Sequence, residues 1–124
     1  MDNGSGRNIL VIEDESDVAD LLEMALRKAG FKTTGAADGA SGLQKARDNR
    51  PDFIILDLML PKMSGLELVA LVRARYAQMP VVVASGYGRS SALDGEDVRY
   101  LKKPYQLTDL QQVIEQGLRQ NAEV

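Results

Sequence analysis

Phe53-Ile54-Ile55-Leu56, followed at once by Asp57, is the stretch whose reading decides the fold. Four consecutive large apolar residues leave no solvated side, so the run reads as a strand covered on both faces. Toward the N-terminus, Ile9-Leu10-Val11-Ile12 has the same character, and Phe31 to Ala36 reads as a weaker strand. Toward the C-terminus, Pro80 introduces Val81-Val82-Val83-Ala84, and Val98 to Leu101 reads as a last strand.

Helical spacing fills the gaps between these runs. Ser16 is the expected N-cap of a first helix with Val18, Leu21, Leu22, Ala25, Leu26 and Ala29 on its inner face, and Gly30 stands at the left-handed C-terminal cap. Ala40, Leu43 and Ala46 mark a second helix ending before Pro51. Ser64 and Glu67 fit a capping box opening a third, whose inner face holds Leu68, Leu71 and Val72. Thr108 with Gln111 opens the final helix, facing inward through Leu110, Val113, Ile114 and Leu118. Strands and helices alternate without a hairpin, which calls for a parallel sheet with helices on both faces and right-handed crossovers.

The chain of 124 residues is the size of one domain, expected over residues 8–120, with residues 1–7 a polar, glycine-rich lead-in and 121–124 a tail. Apolar residues at 44% and charged residues at 27% give the balance of a globular protein rather than a disordered one. No apolar run is long enough to span a bilayer and the N-terminus lacks the order of a signal peptide. The absence of cysteine removes disulfides and thiol chemistry, and fits a cytoplasmic setting. The absence of histidine removes Ser-His-Asp catalysis, histidine-bound zinc and a phosphohistidine carrier. A net charge of −3, without a basic stripe interleaved with aromatics, gives no sign of a nucleic-acid partner.

In open parallel sheets the reactive crevice lies beyond the carboxyl ends of the strands. The first run ends in Glu13-Asp14, the third in Asp57, the fourth in Ser85 and the fifth in Lys102-Lys103-Pro104. Three carboxylates, a hydroxyl and an ammonium therefore collect at one edge. Mutual repulsion would raise the carboxylate pKa values unless a cation sits among them, and an all-oxygen site suits Mg²⁺. A hard cation beside an ammonium is what a transferring phosphoryl group requires, and a carboxylate can be the nucleophile. Taken singly each signal has a plainer explanation. An acidic pair often opens a helix, an aspartate or Ser-Gly ends a strand in a turn, a lysine before proline is solvated, and Tyr100 is half-buried packing. Their weight comes from occupying the correct strand ends in order.

These blocks resemble the receiver domains of bacterial response regulators. The matching residues are Glu13-Asp14, the run Ile54 to Gly65 around Asp57, Val81 to Gly86, and Tyr100-Leu101-Lys102-Lys103-Pro104-Tyr105, so the resemblance covers about Asn8 to Leu118. It implies a doubly wound, flavodoxin-like α/β fold with five parallel strands in the order 2-1-3-4-5. Asp57 would be the phosphoacceptor. Glu13 (through water), Asp14, Asp57 and the main-chain carbonyl of Met59 would hold Mg²⁺. Lys103 would contact the phosphoryl group and precede a cis bond to Pro104, and Ser85 and Tyr100 would form the switch. The implied partners are a histidine kinase or histidine phosphotransfer protein and a downstream protein target, with neither nucleic acid nor membrane insertion. Such a chain is no conventional enzyme but catalyses its own aspartyl phosphorylation and dephosphorylation.

The sequence departs from the family between Ser85 and Lys103, where it is several residues short and lacks the usual Ala-Gly-Ala turn. The helix expected around Ser90 to Leu93 is therefore short or irregular, which unsettles docking through a surface of that helix, the last strand and the final helix. No DNA-binding or enzymatic segment is expected to follow directly, so the output is expected to be a contact with another protein or to lie on a part of the chain beyond these 124 residues. Three other functions fit less well. A haloacid dehalogenase-type phosphatase needs an acid where Met59 stands, and a flavodoxin-like cofactor binder needs a glycine-rich loop after the first strand. A phosphorylation-independent module would not require the intact acidic site.

Overall fold

The computed structural model describes residues 6–58, 60, 63–86, 98–103 and 105–122. Their elements are β1 (Asn8–Ile12), α1 (Ser16–Lys28), β2 (Lys32–Ala36), α2 (Gly39–Asp48), β3 (Phe53–Asp57), α3 (Gly65–Arg75), β4 (Val81–Ser85), β5 (Arg99–Lys102) and α4 (Leu107–Ala122). One parallel sheet joins the strands in the order β2-β1-β3-β4-β5, as the resemblance implied. The chain steps outward from β1 to β2 and then returns to lay β3 on the other side. That reversal opens a crevice at the carboxyl ends of β1 and β3.

Strand residues alternate between two cores. Ile54 and Leu56 join Leu10, Ile12, Val81 and Val83 against Ala46 of α2 and Leu68, Val69 and Val72 of α3. Phe53 and Ile55 join Ile9, Val11, Val82 and Leu101 against Leu22 and Leu26 of α1 and Leu110 and Ile114 of α4. Each such side chain contributes about 1.5–3 kcal/mol when fully buried, so the central strands fix the frame on which the site is mounted. Edge strand β2, with Lys32 exposed and its threonines half-buried, is less apolar because one side has no neighbour.

Helix ends follow local chemistry with some departures from expectation. Ser64 caps α3, accepting from the Glu67 amide at 3.2 Å, and its hydroxyl lies 3.5 Å from the Glu67 carboxylate. Gly30 takes a φ of 96°, the left-handed cap after α1. Ser16 is the first helical residue rather than the cap, which is Glu15 and makes no side-chain capping bond. At the start of α4 the bond runs from the Gln106 amide to Asp109 at 3.1 Å, instead of through the expected Thr108-Gln111 pair.

Two inner-face assignments are corrected: Leu21 and Leu71 are 69% and 45% exposed, while Leu22 and Val72 beside them are buried. In α2 the buried face is Gly39, Gly42 and Ala46, with Leu43 half-buried and Ala40 exposed. The side chain of Leu118, Met59, Pro104 and the segment 87–97 with its expected short helix lie outside the described residues.

The loop after β3 is pinned by a close approach of backbone to backbone. Gly65 donates to the Leu58 carbonyl at 3.0 Å, and a Cβ at position 65 would sit 2.6 Å from Leu58 Cα and 3.0 Å from the Asp57 carbonyl oxygen. Neither neighbour is a flexible side chain. Gly65→Ala is therefore expected to cost about 1–3 kcal/mol in urea unfolding. A change within a few tenths of a kcal/mol would show that this approach is not needed.

Candidate functional site

The parallel ladder brings the ends of β1, β3, β4 and β5 to one edge. Ile12 pairs with Leu56, Asp57 with Ala84 and Ser85 with Lys102, so the residues that follow converge. Two backbone bonds extend this frame past the strands: Glu13 donates to the Ala36 carbonyl at 2.9 Å, and Lys103 donates to the Ser85 carbonyl at 2.8 Å. The amide of Leu58 donates to the Ala84 carbonyl at 3.1 Å, which fixes the residue after Asp57.

Among the described residues, one carboxylate oxygen each from Glu13, Asp14 and Asp57 lies within 4.8 Å of the others. Glu13 and Asp57 are buried, whereas Asp14 is exposed. Lys103 bridges the buried pair, with Nζ 2.8 Å from Asp57 Oδ2 and 3.4 Å from Glu13 Oε1. The other Glu13 oxygen accepts from the Glu15 amide at 3.1 Å. Ser85 is 1% exposed at the end of β4. Tyr100 sits half-buried on β5, opposite Val83 and packed on the α2–α3 side. The structure thus gathers Glu13, Asp14, Asp57 and Lys103, places Ser85 at the adjoining strand end, and sets Tyr100 two residues before the end of β5. Met59 lies outside the described residues.

Burial raises the Glu13 pKa above 4.5, a rise that the Glu15 amide and the Lys103 charge offset only in part. Burial alone would lower that of Lys103, but its hydrogen bond to Asp57 and the charges of Asp57 and Glu13 lift it above 10.5. A lysine whose folded pKa exceeds its unfolded value contributes stability fully below pH 10.5, and that contribution is lost as pH rises through the folded value. For Glu13, also raised, the slope has the same sign but lies in the acid range, and it is the charged form that is penalised. Its raised value costs stability at neutral pH, and acidification through that value removes the cost, so Glu13 does not drive acid unfolding. Urea midpoints on either side of pH 10.5 are expected to fall more steeply for the wild type than for Lys103→Met. Parallel curves would remove Lys103 from this role.

Tyr105, which closes the Lys-Lys-Pro-Tyr block, carries no role that the sequence predicts. Burial holds its phenol above the ordinary value, with Lys103 pulling the other way. It lines, with Lys103, Val18, Leu21, Leu22 and Leu110, a cleft of about 720 Å³ between α1 and α4. No spacing or composition signal distinguishes it from an ordinary core tyrosine.

The donor set fits Mg²⁺: among the described residues, three carboxylate oxygens in reach of one another, no nitrogen or sulfur ligand beside them, and an exposed flank at Asp14 where water would have access. Chemically, the arrangement offers a carboxylate held beside an ammonium in a crevice that a divalent cation would neutralise.

Residues 9–115 match the response regulator receiver domain. The chain is 39% identical over 115 residues to the transcriptional regulatory protein PrrA of Mycobacterium tuberculosis, covering 89% of this chain and 49% of PrrA. It is 37% identical over 123 residues to the sensory transduction protein RegX3 of Mycolicibacterium smegmatis, covering 94% and 52%. The chain thus spans about half the length of the curated relatives it matches. Among solved structures, a CheY-like receiver domain protein from Methanospirillum hungatei superposes with a TM-score of 0.88 at 25% identity, over 96% of this chain and 98% of that one. TrrA, a response regulator protein of Thermotoga maritima solved in complex with Mg²⁺ and BeF, gives 0.82 at 25% identity, over 90% and 99%.

Proposed function

Because the chain belongs to the response regulator receiver family, we propose that Asp57 accepts a phosphoryl group from a histidine kinase or histidine phosphotransfer protein and passes the signal on as a change of surface. The observation that carries this reading is the Lys103 ammonium 2.8 Å from Asp57, beside two further carboxylates.

An Asp57 oxygen attacks the phosphorus of the donor, and the bond from phosphorus to the donor's imidazole nitrogen breaks, its electron pair staying on nitrogen. The product on this chain is an acyl phosphate. Glu13, Asp14, Asp57 and the main chain at Met59 are the groups that would hold Mg²⁺, which when bound supplies positive charge against the phosphoryl oxygens. Lys103 exchanges its contact with the carboxylate for one with a phosphoryl oxygen, and the Ser85 hydroxyl donates to another. Hydrolysis reverses the modification: water attacks phosphorus, the bond to the Asp57 oxygen breaks, and inorganic phosphate leaves. Phosphorylation adds roughly one to two negative charges at the carboxyl end of β3. Drawing Ser85 and Lys103 toward them pulls on the ends of β4 and β5, and Tyr100 on β5 follows. Carrying the population from mostly off to mostly on requires a differential of about 5 kcal/mol.

That TrrA holds Mg²⁺ and BeF on the same fold supports the choice of probe. Adding Mg²⁺ and beryllofluoride together is expected to shift the amide resonances of Asp14, Asp57, Ser85 and Lys103, with smaller changes for either alone. If the paired addition leaves those four amides unmoved, the reading fails.

A further inference from the structure

We propose that this chain associates with a second copy of itself head to tail, with α1 of one copy lying antiparallel in the groove between α2 and α3 of the next. Among the described residues the exposed large hydrophobics are Leu21, Met24 and Leu71. They do not form one patch. Leu21 and Met24 lie one turn apart on α1, Leu21 on the flank that borders the cleft toward α4; α1 packs on one side of the sheet, and Leu71 lies on α3, which packs on the other.

The groove on the α2–α3 side has a volume of about 420 Å³ and is lined by Leu43, Arg47, Leu71, Ala74 and Arg75. Each helix contributes a leucine and, one turn later, an arginine: Leu43 then Arg47, Leu71 then Arg75. Both helices return antiparallel to the same sheet and so run in parallel, which gives the groove an apolar end and a cationic end. Neither arginine is ion-paired among the described residues. Beyond the leucines, toward the helix starts, stand Asp38 at the cap of α2 and Glu67 in the first turn of α3.

Along α1 the same three layers occur in matching order: Asp17 and Asp20, then Leu21 and Met24, then Arg27 and Lys28. Laid antiparallel, each layer of α1 meets its complement: aspartates on Arg47 and Arg75, apolar side chains on Leu43 and Leu71, and Arg27 and Lys28 on Asp38 and Glu67. A rise of 5.4 Å per turn spaces the layers equally on both partners. Helix macrodipoles favour acidic starts and basic ends on any helix, which accounts for the charges taken alone. They do not account for large apolar side chains exposed between the charges on both faces. Because the two faces differ, the contact is heterologous and each copy retains a free face of each kind at the ends of a chain of copies.

Sedimentation velocity on the 124-residue chain tests this over roughly 10 μM to 1 mM, the range of weak protein contacts. The sedimentation coefficient is expected to rise with concentration and to fall back at high salt. L21E/M24E and R47E/R75E should each remain monomeric. Their equimolar mixture should form one heterodimer and nothing larger, since the unused faces then both carry glutamates. Leu71→Ser, a milder exposed change, should weaken wild-type association severalfold and keeps the test standing if a double variant unfolds. A wild type that stays monomeric throughout, variants that still associate, or a mixture that stays monomeric would each overturn the proposal. An α1 or groove face that instead serves a different protein appears as the first of these.

Discussion

Asp57→Asn is expected to take up no phosphoryl group from acetyl phosphate and Mg²⁺, a loss exceeding about 10³-fold, because the change removes the only nucleophile the proposal allows. The expectation is sharper than a general loss of acidic charge. Asp14→Asn leaves Asp57 beside Lys103 and removes one candidate metal ligand, so it should slow uptake while raising the Mg²⁺ concentration needed. Excess Mg²⁺ should recover much of the Asp14→Asn rate and none of the Asp57→Asn rate. Intact-mass measurement over a Mg²⁺ series separates the two. Equal labelling of Asp57→Asn and wild type would move the acceptor elsewhere, with exposed Asp14 the first place to look.

Lys103→Met is expected to produce two separable effects. The first is on stability. Lys103 is a cation that the described structure places against the buried Glu13 and Asp57, and without it the repulsion between them grows. Breaking a fully buried ion pair costs about 3–5 kcal/mol. The Lys103 side chain is 28% exposed, so water recovers part of that, and a loss of about 1–3 kcal/mol is the expected range. Urea unfolding with and without Mg²⁺ measures it, and Mg²⁺ should restore most of the loss because a cation among the carboxylates does the same electrostatic work. The second effect is on transfer. Removing one preorganised positive group aimed at the phosphoryl oxygens costs on the order of 10²-fold in rate, and excess Mg²⁺ should not restore it. A variant equal to wild type in both assays would make the 2.8 Å contact incidental.

Much of this architecture is legible in the amino-acid sequence. Strands β1, β3 and β4 are covered on both faces, and a run such as Ile9 to Ile12 has few other ways to satisfy its apolar surface. Their ends named Glu13, Asp14, Asp57 and Ser85, and the rule that parallel strands share a reactive edge placed these together. What stayed hidden depends on tertiary detail. Leu21 and Leu22 are neighbours on the same broad helical stripe, and only the way α1 rolls on the sheet decides that one is buried and the other exposed. The same holds for Leu71 against Val72 on α3. Glu13 and Asp14 read as one acidic pair, yet the bond from the Glu13 amide to Ala36 continues the ladder by one residue and turns Glu13 inward, leaving Asp14 exposed. The cap at Glu15 in place of Ser16, and the bond from Gln106 to Asp109, turn on loop paths that no residue pattern encodes.

The most direct measurement traps the phosphoryl group where it lands. Wild-type chain treated with acetyl phosphate and Mg²⁺, then with borohydride, should yield by tandem mass spectrometry a single peptide in which residue 57 has become homoserine. Homoserine at residue 13, 14 or any other acidic position, or none at all despite a gain in mass, would contradict the assignment on which the whole account rests.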